Sequence, residues 1–316
     1  MRDGTRSSCT LLTLPAIRRL TSMVSRMKGL RCNDASERVL PDAASTTQSR
    51  WKHNIQKAAL GFIVLGLLSV SLRVDGSAAG PDRSLESYQQ LADSLFRSCN
   101  WKQTRATLME ARRVYPRSAE VLWRLSNSYI NEGDALEGDK AEAAFHRSIE
   151  YAEEAVRSDP RNANAHALHA AALGSLAMFA GGKQKVKMTY QIRDALDRAL
   201  AIDQANVIAH TIYGTWHREV ADVGWVERKL ADVFLGGLPK GSFELSVRHL
   251  KSAIRSDPGM LRHHYELGLT YEAMDQPLRA AAAYRAALLC SDSWSIDWKR
   301  RQRMKDFLAE HAESGT

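Results

Sequence analysis

Ten histidines and four cysteines are among the residues from which a metal centre or a nucleophilic site could be built. Six of the histidines fall in pairs, His166 and His169, His210 and His217, and the adjacent His263 and His264, without metal-ligand spacing. Cys9, Cys32, Cys99 and Cys290 are scattered, as expected of reduced, partly buried thiols. Gly182-Lys183 hints at a phosphate loop, but Ala177 stands where its first glycine belongs and Gln184 follows the lysine. The preceding strand that such a loop needs is also missing from the pattern. No acid–base or nucleophile–base constellation appears, so neither an enzyme nor a cofactor is expected. What the side chains offer is recognition. Asn127 and Asn131 have amides able to grip the backbone of an extended peptide, while Trp123 and Tyr265 can anchor an apolar or acyl group.

The elements that place these residues recur along the chain. Five alanines each precede a helix-stopping residue by five positions: Ala111 and Pro116, Ala155 and Pro160, Ala199 and Gln204, Ala253 and Pro258, Ala287 and Asp292. After each of the first four stops a new apolar helical pattern begins, as with Leu122, Leu125 and Tyr129, or Leu267, Gly268 and Tyr271. This is the tetratricopeptide arrangement, in which small residues let two antiparallel helices approach and stacked pairs bury what one pair cannot. The predicted fold is all-α, a tetratricopeptide-like solenoid with helical insertions. In its register the first helices line a concave groove bearing Trp123, Asn127 and Asn131, then Thr215 and Arg218, then Arg262, Tyr265 and Leu269. His166, His210 and His264 take the aromatic packing position of those helices.

The stops are 44, 44, 54 and 34 residues apart, so three units exceed the 34-residue repeat. The first two extras fall at 131–138 and 181–187, and the longest follows Trp216. There Val223, Val226, Leu230 and Val233 recur at helical spacing and are expected to dock on the solenoid as a cap over the groove. Trp225 is adjacent, and Glu227, Arg228 and Lys229 would then face solvent or a partner. At the far end Lys299, Arg300, Arg301, Arg303 and Lys305 place five basic residues in seven positions. With Trp294, Ile296, Trp298, Met304, Phe307 and Leu308 they read as a capping helix with a basic outer face, suited to an acidic surface such as tubulin.

Charge divides the chain. Residues 1–57 hold eleven Lys and Arg against four Asp and Glu, whereas 73–316 hold 33 against 32. A nearly neutral body argues against nucleic-acid binding. Residues 1–50 form a basic, Ser-rich targeting-like tail, with Leu14, Ile17, Leu20, Val24, Met27 and Leu30 at helical spacing. Within 51–80, the uncharged run Ala58 to Leu72, extended to 55–74, reads as a single membrane anchor followed by a linker. Residues 81–316 hold the repeats. The tail and anchor together suggest a mitochondrial membrane.

Several of these motifs together carry a family resemblance. They are Glu120-Val-Leu-Trp-Arg-Leu125, Tyr151-Ala-Glu-Glu-Ala leading to Asp159-Pro160, and Asp194 to Asp203. The long insertion adds Gly214-Thr-Trp216, Glu219-Val-Ala221, Trp225-Val-Glu-Arg-Lys229, Phe234, Pro239 and Pro258-Gly259. Over about residues 85–310 the chain resembles the regulator of microtubule dynamics family. Gln204 and Asp292 depart from Pro at two stops, and the first 84 residues have no clear counterpart. The resemblance implies a helical solenoid without enzyme activity and association with microtubules and spindle poles. In some members it also implies membrane attachment near mitochondria. A cytoplasmic location at microtubules and spindle poles is the alternative to the mitochondrial one. A module that binds or transfers acyl lipid at organelle contacts is the alternative to a protein scaffold.

Overall fold

The computed structural model describes residues 83–311, so the tail at 1–50 and the anchor at 51–80 lie outside the described residues. Among the described residues there are twelve helices and no strand. They are α1 (Leu85–Arg97), α2 (Trp101–Val114), α3 (Ala119–Asp134), α4 (Gly138–Ser158), α5 (Ala163–Leu176) and α6 (Gly182–Ile202). Then follow α7 (Val207–Ala221), α8 (Trp225–Phe234), α9 (Phe243–Ser256), α10 (Leu261–Ala273), α11 (Pro277–Leu289) and α12 (Asp297–Glu310). None of them is long and apolar enough to cross a membrane.

Helices pair as α1 with α2, α3 with α4, α5 with α6, α7 with α9 and α10 with α11, and α12 lies against the last pair. The five alanines that mark the repeat explain why. Ala111, Ala155, Ala199, Ala253 and Ala287 are each 0% exposed. Each carbonyl also accepts the N–H that ends its helix, from Tyr115, Asp159, Asp203, Asp257 and Cys290 respectively. One small residue thus serves both close packing and helix termination. The opposite ends are capped by side-chain oxygens. Ser84, Ser118, Asn162, Asn206 and Ser242 each accept the N–H three residues on, which satisfies a donor the helix leaves free. At Gly268 a Cβ would fall inside the Tyr284 ring, so only glycine lets α10 and α11 meet.

The extra length of the first two long units extends their second helices. α4 and α6 have 21 residues each, against 14 in α2 and α9. Gly182-Lys183 accordingly opens α6. The third extra is α8 with its flanking loops.

The core runs through the stack in three clusters, and one member comes from far along the chain. Trp294 packs among Tyr88, Leu108, Leu122, Trp123 and Leu125 of the first two pairs. The turn between α11 and α12 therefore reaches back to the beginning of the array.

Candidate functional site

That returning turn forms one wall of a cavity of about 270 Å³. Its other walls are Ala92, Phe96 and Leu108 of the first pair, Trp123 and Asn127 of α3, Ile208 and Ile212 of α7, and Arg262 and His263 of α10. First helices from separate repeats thus face a common space, as the concave register requires. The segment 293–296 is held there as a strap. Trp294 donates from Nε1 to Asp134 Oδ2 at 2.7 Å, and Ser295 donates its backbone N–H to Asn131 Oδ1 at 2.9 Å. Ser295 Oγ donates to the Asn131 carbonyl at 2.8 Å, and the Trp294 ring meets Phe96 edge-on at 5.4 Å. Asp297 fixes the strap from behind, with Oδ2 accepting the N–H groups of Ser293 and Trp294, both at 2.9 Å. Its other oxygen pairs with Arg300 at 2.7 Å.

Polarity in the cavity is uneven. Arg124 is held by Asp93 in a two-point pair, both contacts 2.8 Å, and stacks over Trp123. Arg262 sits over the Trp294 ring at 5.3 Å, and its buried Nε has no hydrogen-bond partner among the described residues. Burial, and then the charge of Arg300, push its pKa down. His263 bonds Thr211 Oγ1 through Nδ1 at 3.0 Å, while its buried Nε2 has no partner among the described residues. Burial lowers its pKa to about 4, so the ring is neutral at pH 7.

The groove residues read from the sequence divide into two groups. Trp123, Asn127 and Arg262 line the cavity, and Asn131 beside them is almost fully buried against the strap. Thr215, Arg218 and Tyr265 sit elsewhere. Thr215 donates to the Thr211 carbonyl within its own helix. Arg218 is buried with Glu266 at 3.0 Å and also reaches Glu219. Burial raises the Glu266 pKa, but Arg218, Arg262 and Arg300 outweigh it and keep the carboxylate ionised. Tyr265 packs near Tyr284 under Arg300 and Arg303. The strap itself, with Trp294 and Ser295, is absent from the groove that the repeat register predicts. The apolar residues of 294–298 are legible in the sequence, but only the turn of the whole array brings them to α3.

Three histidines do more than fill space. His166, His210 and His264 each place Nε2 against the carbonyl of the stop residue six positions earlier, Pro160, Gln204 and Pro258, at 2.9, 2.9 and 3.0 Å. Each ring clips a turn to the helix that follows it.

The insertion corrects the expected docking of its apolar stripe. In α8 only Ala231 is buried, while Trp225, Val233 and Phe234 are 74%, 72% and 72% exposed, and Val226 and Leu230 are also exposed. The inward side carries Arg228, which donates to the carbonyls of Val220 at 2.5 Å and Pro239 at 3.3 Å. These oxygens lie at the end of α7 and in the following loop. They draw in a guanidinium, and small Ala231 completes the contact side, so the stripe turns outward. Glu227 is partly buried beside Gly224, and Lys229 is exposed. Gly241 closes the loop, since a Cβ there would collide with the backbone at the end of α7. No residue of α8 lines the cavity; the strap supplies a wall of it through Trp294.

The basic outer face is likewise smaller than expected. Arg300 is buried against Asp297, and Arg301 pairs with Asp292 and donates to the carbonyls of Leu288 and Cys290. Arg303 forms a two-point pair with Glu272 and also donates to Tyr284. Lys299 and Lys305 are exposed, and so is Arg303 despite its pairing. Carbonyls at the end of α11 and nearby carboxylates recruit the arginines, whose planar donors fit them.

Against known proteins, a family model described as Regulator of microtubule dynamics protein 1-3 matches residues 88–312. The chain is 24% identical over 215 residues to Regulator of microtubule dynamics protein 1 of Bos taurus, covering 67% of each. It is 22% identical over 225 residues to the Mus musculus protein of the same name, covering 70% of this chain and 72% of that one. With Regulator of microtubule dynamics protein 3 of Xenopus laevis the identity is 24% over 181 residues, 56% of this chain and 39% of that one. A thermophilic TPR protein of Thermus thermophilus is similar in fold, with TM-score 0.51 and 17% identity, over 72% of this chain and 100% of that one. The match across all five helix pairs and the insertion places this chain in the regulator of microtubule dynamics protein 1–3 family.

Proposed function

We propose that this protein is a non-enzymatic helical-repeat scaffold that binds protein partners through its concave groove and associates with microtubules. The observation that carries the reading is the grip of Asn131 on the strap. Its amide oxygen holds a backbone N–H of a non-helical segment, the contact that an extended peptide would supply. Trp123, Asn127 and Arg262 lie alongside to read side chains. Lys299 and Lys305 would add contact with an acidic tubulin surface, and Thr215, Arg218 and Tyr265 would position the groove without touching the ligand. The full chain should co-pellet with stabilised microtubules at low salt and release as salt rises. Absence of pelleting at low salt would sink the microtubule part.

Attachment to a mitochondrial membrane through residues 55–74 belongs to the same proposal, with a cytoplasmic site at microtubules and spindle poles as the alternative. Protease protection of a C-terminal tag on isolated mitochondria distinguishes the topologies. A second reading, binding of an acyl lipid, is favoured by the apolar cavity walls around the unpartnered Arg262 Nε. At about 270 Å³ the cavity is near the lower bound of ~300 Å³ for small-molecule sites, so part of a chain or one head group fits. Native mass spectrometry after mild purification should then show a bound acyl lipid, and an empty protein counts against it.

A further inference from the structure

The outward stripe of α8 has neighbours that say what covers it. Leu235, just past the helix, would lie 3.4 Å from a Cβ on Gly182, so the insertion sits beside the start of α6. The loop before α6 exposes Met178 and Phe179, 61% and 40% accessible. Seven large apolar side chains therefore stand in water in two adjacent segments: Met178, Phe179, Trp225, Val226, Leu230, Val233 and Phe234. Monomeric proteins rarely leave such a patch without a use.

The charge around it is mainly basic, with Asp232 the exposed acidic residue on α8. From Met178 to Arg193 there are four basic residues and no acidic one. Lys183, Lys185 and Lys187 are all exposed at the start of α6. Lys229 stands between Trp225 and Val233 on the helix wheel, within the apolar arc. Of the acidic residues in α8, Glu227 turns to Gly224 and Asp232 lies near Gly237 in the loop. A short helix with Trp, Leu, Val and Phe on its free face, Lys229 among them and the α6 lysines beside it, suits interfacial membrane binding. The inward face is already satisfied by Arg228 and Ala231, so α8 needs no rearrangement to lie flat on a bilayer.

We propose that α8 and the loop before α6 form a peripheral docking surface for anionic lipid membranes. The apolar arc enters the headgroup boundary, and Lys183, Lys185, Lys187 and Lys229 meet lipid phosphates and carboxylates. This contact is separate from residues 55–74 and from the cavity, and it orients the repeat domain against the membrane.

The test uses the full chain with Cys9, Cys32, Cys99 and Cys290 changed to Ser and an environment-sensitive dye attached at Lys229→Cys. The same dye at Arg285→Cys, an exposed position on α11, is the control, and circular dichroism checks that each protein is folded. Vesicles of phosphatidylcholine with phosphatidylserine should shift the dye at position 229 to the blue and leave the control unchanged. Phosphatidylcholine alone should give a much weaker response. In the dye-labelled chain, replacing Lys183, Lys185 and Lys187 by Gln should weaken the response by roughly tenfold or more. Changing Trp225, Val233 and Phe234 to Ser should abolish it. An unshifted dye on protein that floats with the vesicles overturns the proposal, because another segment then holds the membrane. A shift that grows with protein concentration without vesicles also overturns it, since a second copy then covers the stripe. An equal response to neutral vesicles removes the role of the lysines.

Discussion

Burial holds His217, His249 and His263 at pKa values of about 4, against an ordinary value of 6.5. His217 and His249 stack on Tyr213, His249 bonds to His210 at 2.8 Å, and after burial the neighbouring His210, His217 and Arg248 lower the His249 pKa further. In unfolded chains these rings take up protons near pH 6.5, whereas the folded protein resists until about pH 4. The unfolded state therefore binds more protons throughout that window. Stability is fully present above pH 6.5 and declines as the pH falls toward 4, by several kcal/mol in total as an order of magnitude. Thermal melts between pH 7 and pH 4 should show this fall. His217→Phe, which keeps a ring on Tyr213, should make the fall shallower; an unchanged slope would mean that His217 does not take part.

At the level of elements, the meeting of α10 and α11 depends on the absence of a side chain. Gly268→Ala should cost about 1–3 kcal/mol, because Tyr284 must move in a packed pair. Gly174→Ala, where the nearest side-chain atom is 4.0 Å away, should be neutral or stabilising by up to about 1 kcal/mol. Urea midpoints for the two variants provide the comparison. Such contacts are legible in the sequence, because alanine and glycine in phase with stops is what close helix pairs demand. The side of α8 that faces inward is not legible there. Its periodicity declares an amphipathic helix, yet periodicity only reports that two faces differ. The carbonyls of Val220 and Pro239 decide the matter, and no spacing rule exposes free acceptors in a loop. The arginines of α12 escape a sequence reading for the same reason. Arg228→Ala should release α8, so amide exchange in 225–234 should quicken on a body whose melting temperature hardly changes. A large loss of global stability would show that α8 is integral to the core.

At the scale of the molecule, the strap makes the array unlike an ordinary solenoid. Repeat proteins are held by neighbour contacts alone, which allows one end to fray while the other persists. Here Trp294 and Ser295 bind Asp134 and Asn131, and Trp294 shares a core with Tyr88 and Leu108. Trp294→Ala should cost about 3–5 kcal/mol and separate one unfolding transition into two. Amide exchange should then rise in α1 and α3 as well as near residue 294. Faster exchange near 294 alone would mean that the strap rests on the first repeats without supporting them. The groove also emerges only at this scale. Trp123 and Asn127 are readable as concave residues, but the wall that Trp294 builds depends on the curvature of five stacked pairs.

The strap also has a consequence in time. Helix pairs form from local contacts and assemble quickly, whereas a contact spanning 160 residues must wait for everything between to be in place. During synthesis the first pairs leave the ribosome well before residue 294 does. For that interval the space that Trp294 later walls is open, with Phe96, Leu108 and Trp123 at its surface. The nascent chain is therefore open to wrong partners at a place that the finished protein covers with Trp294.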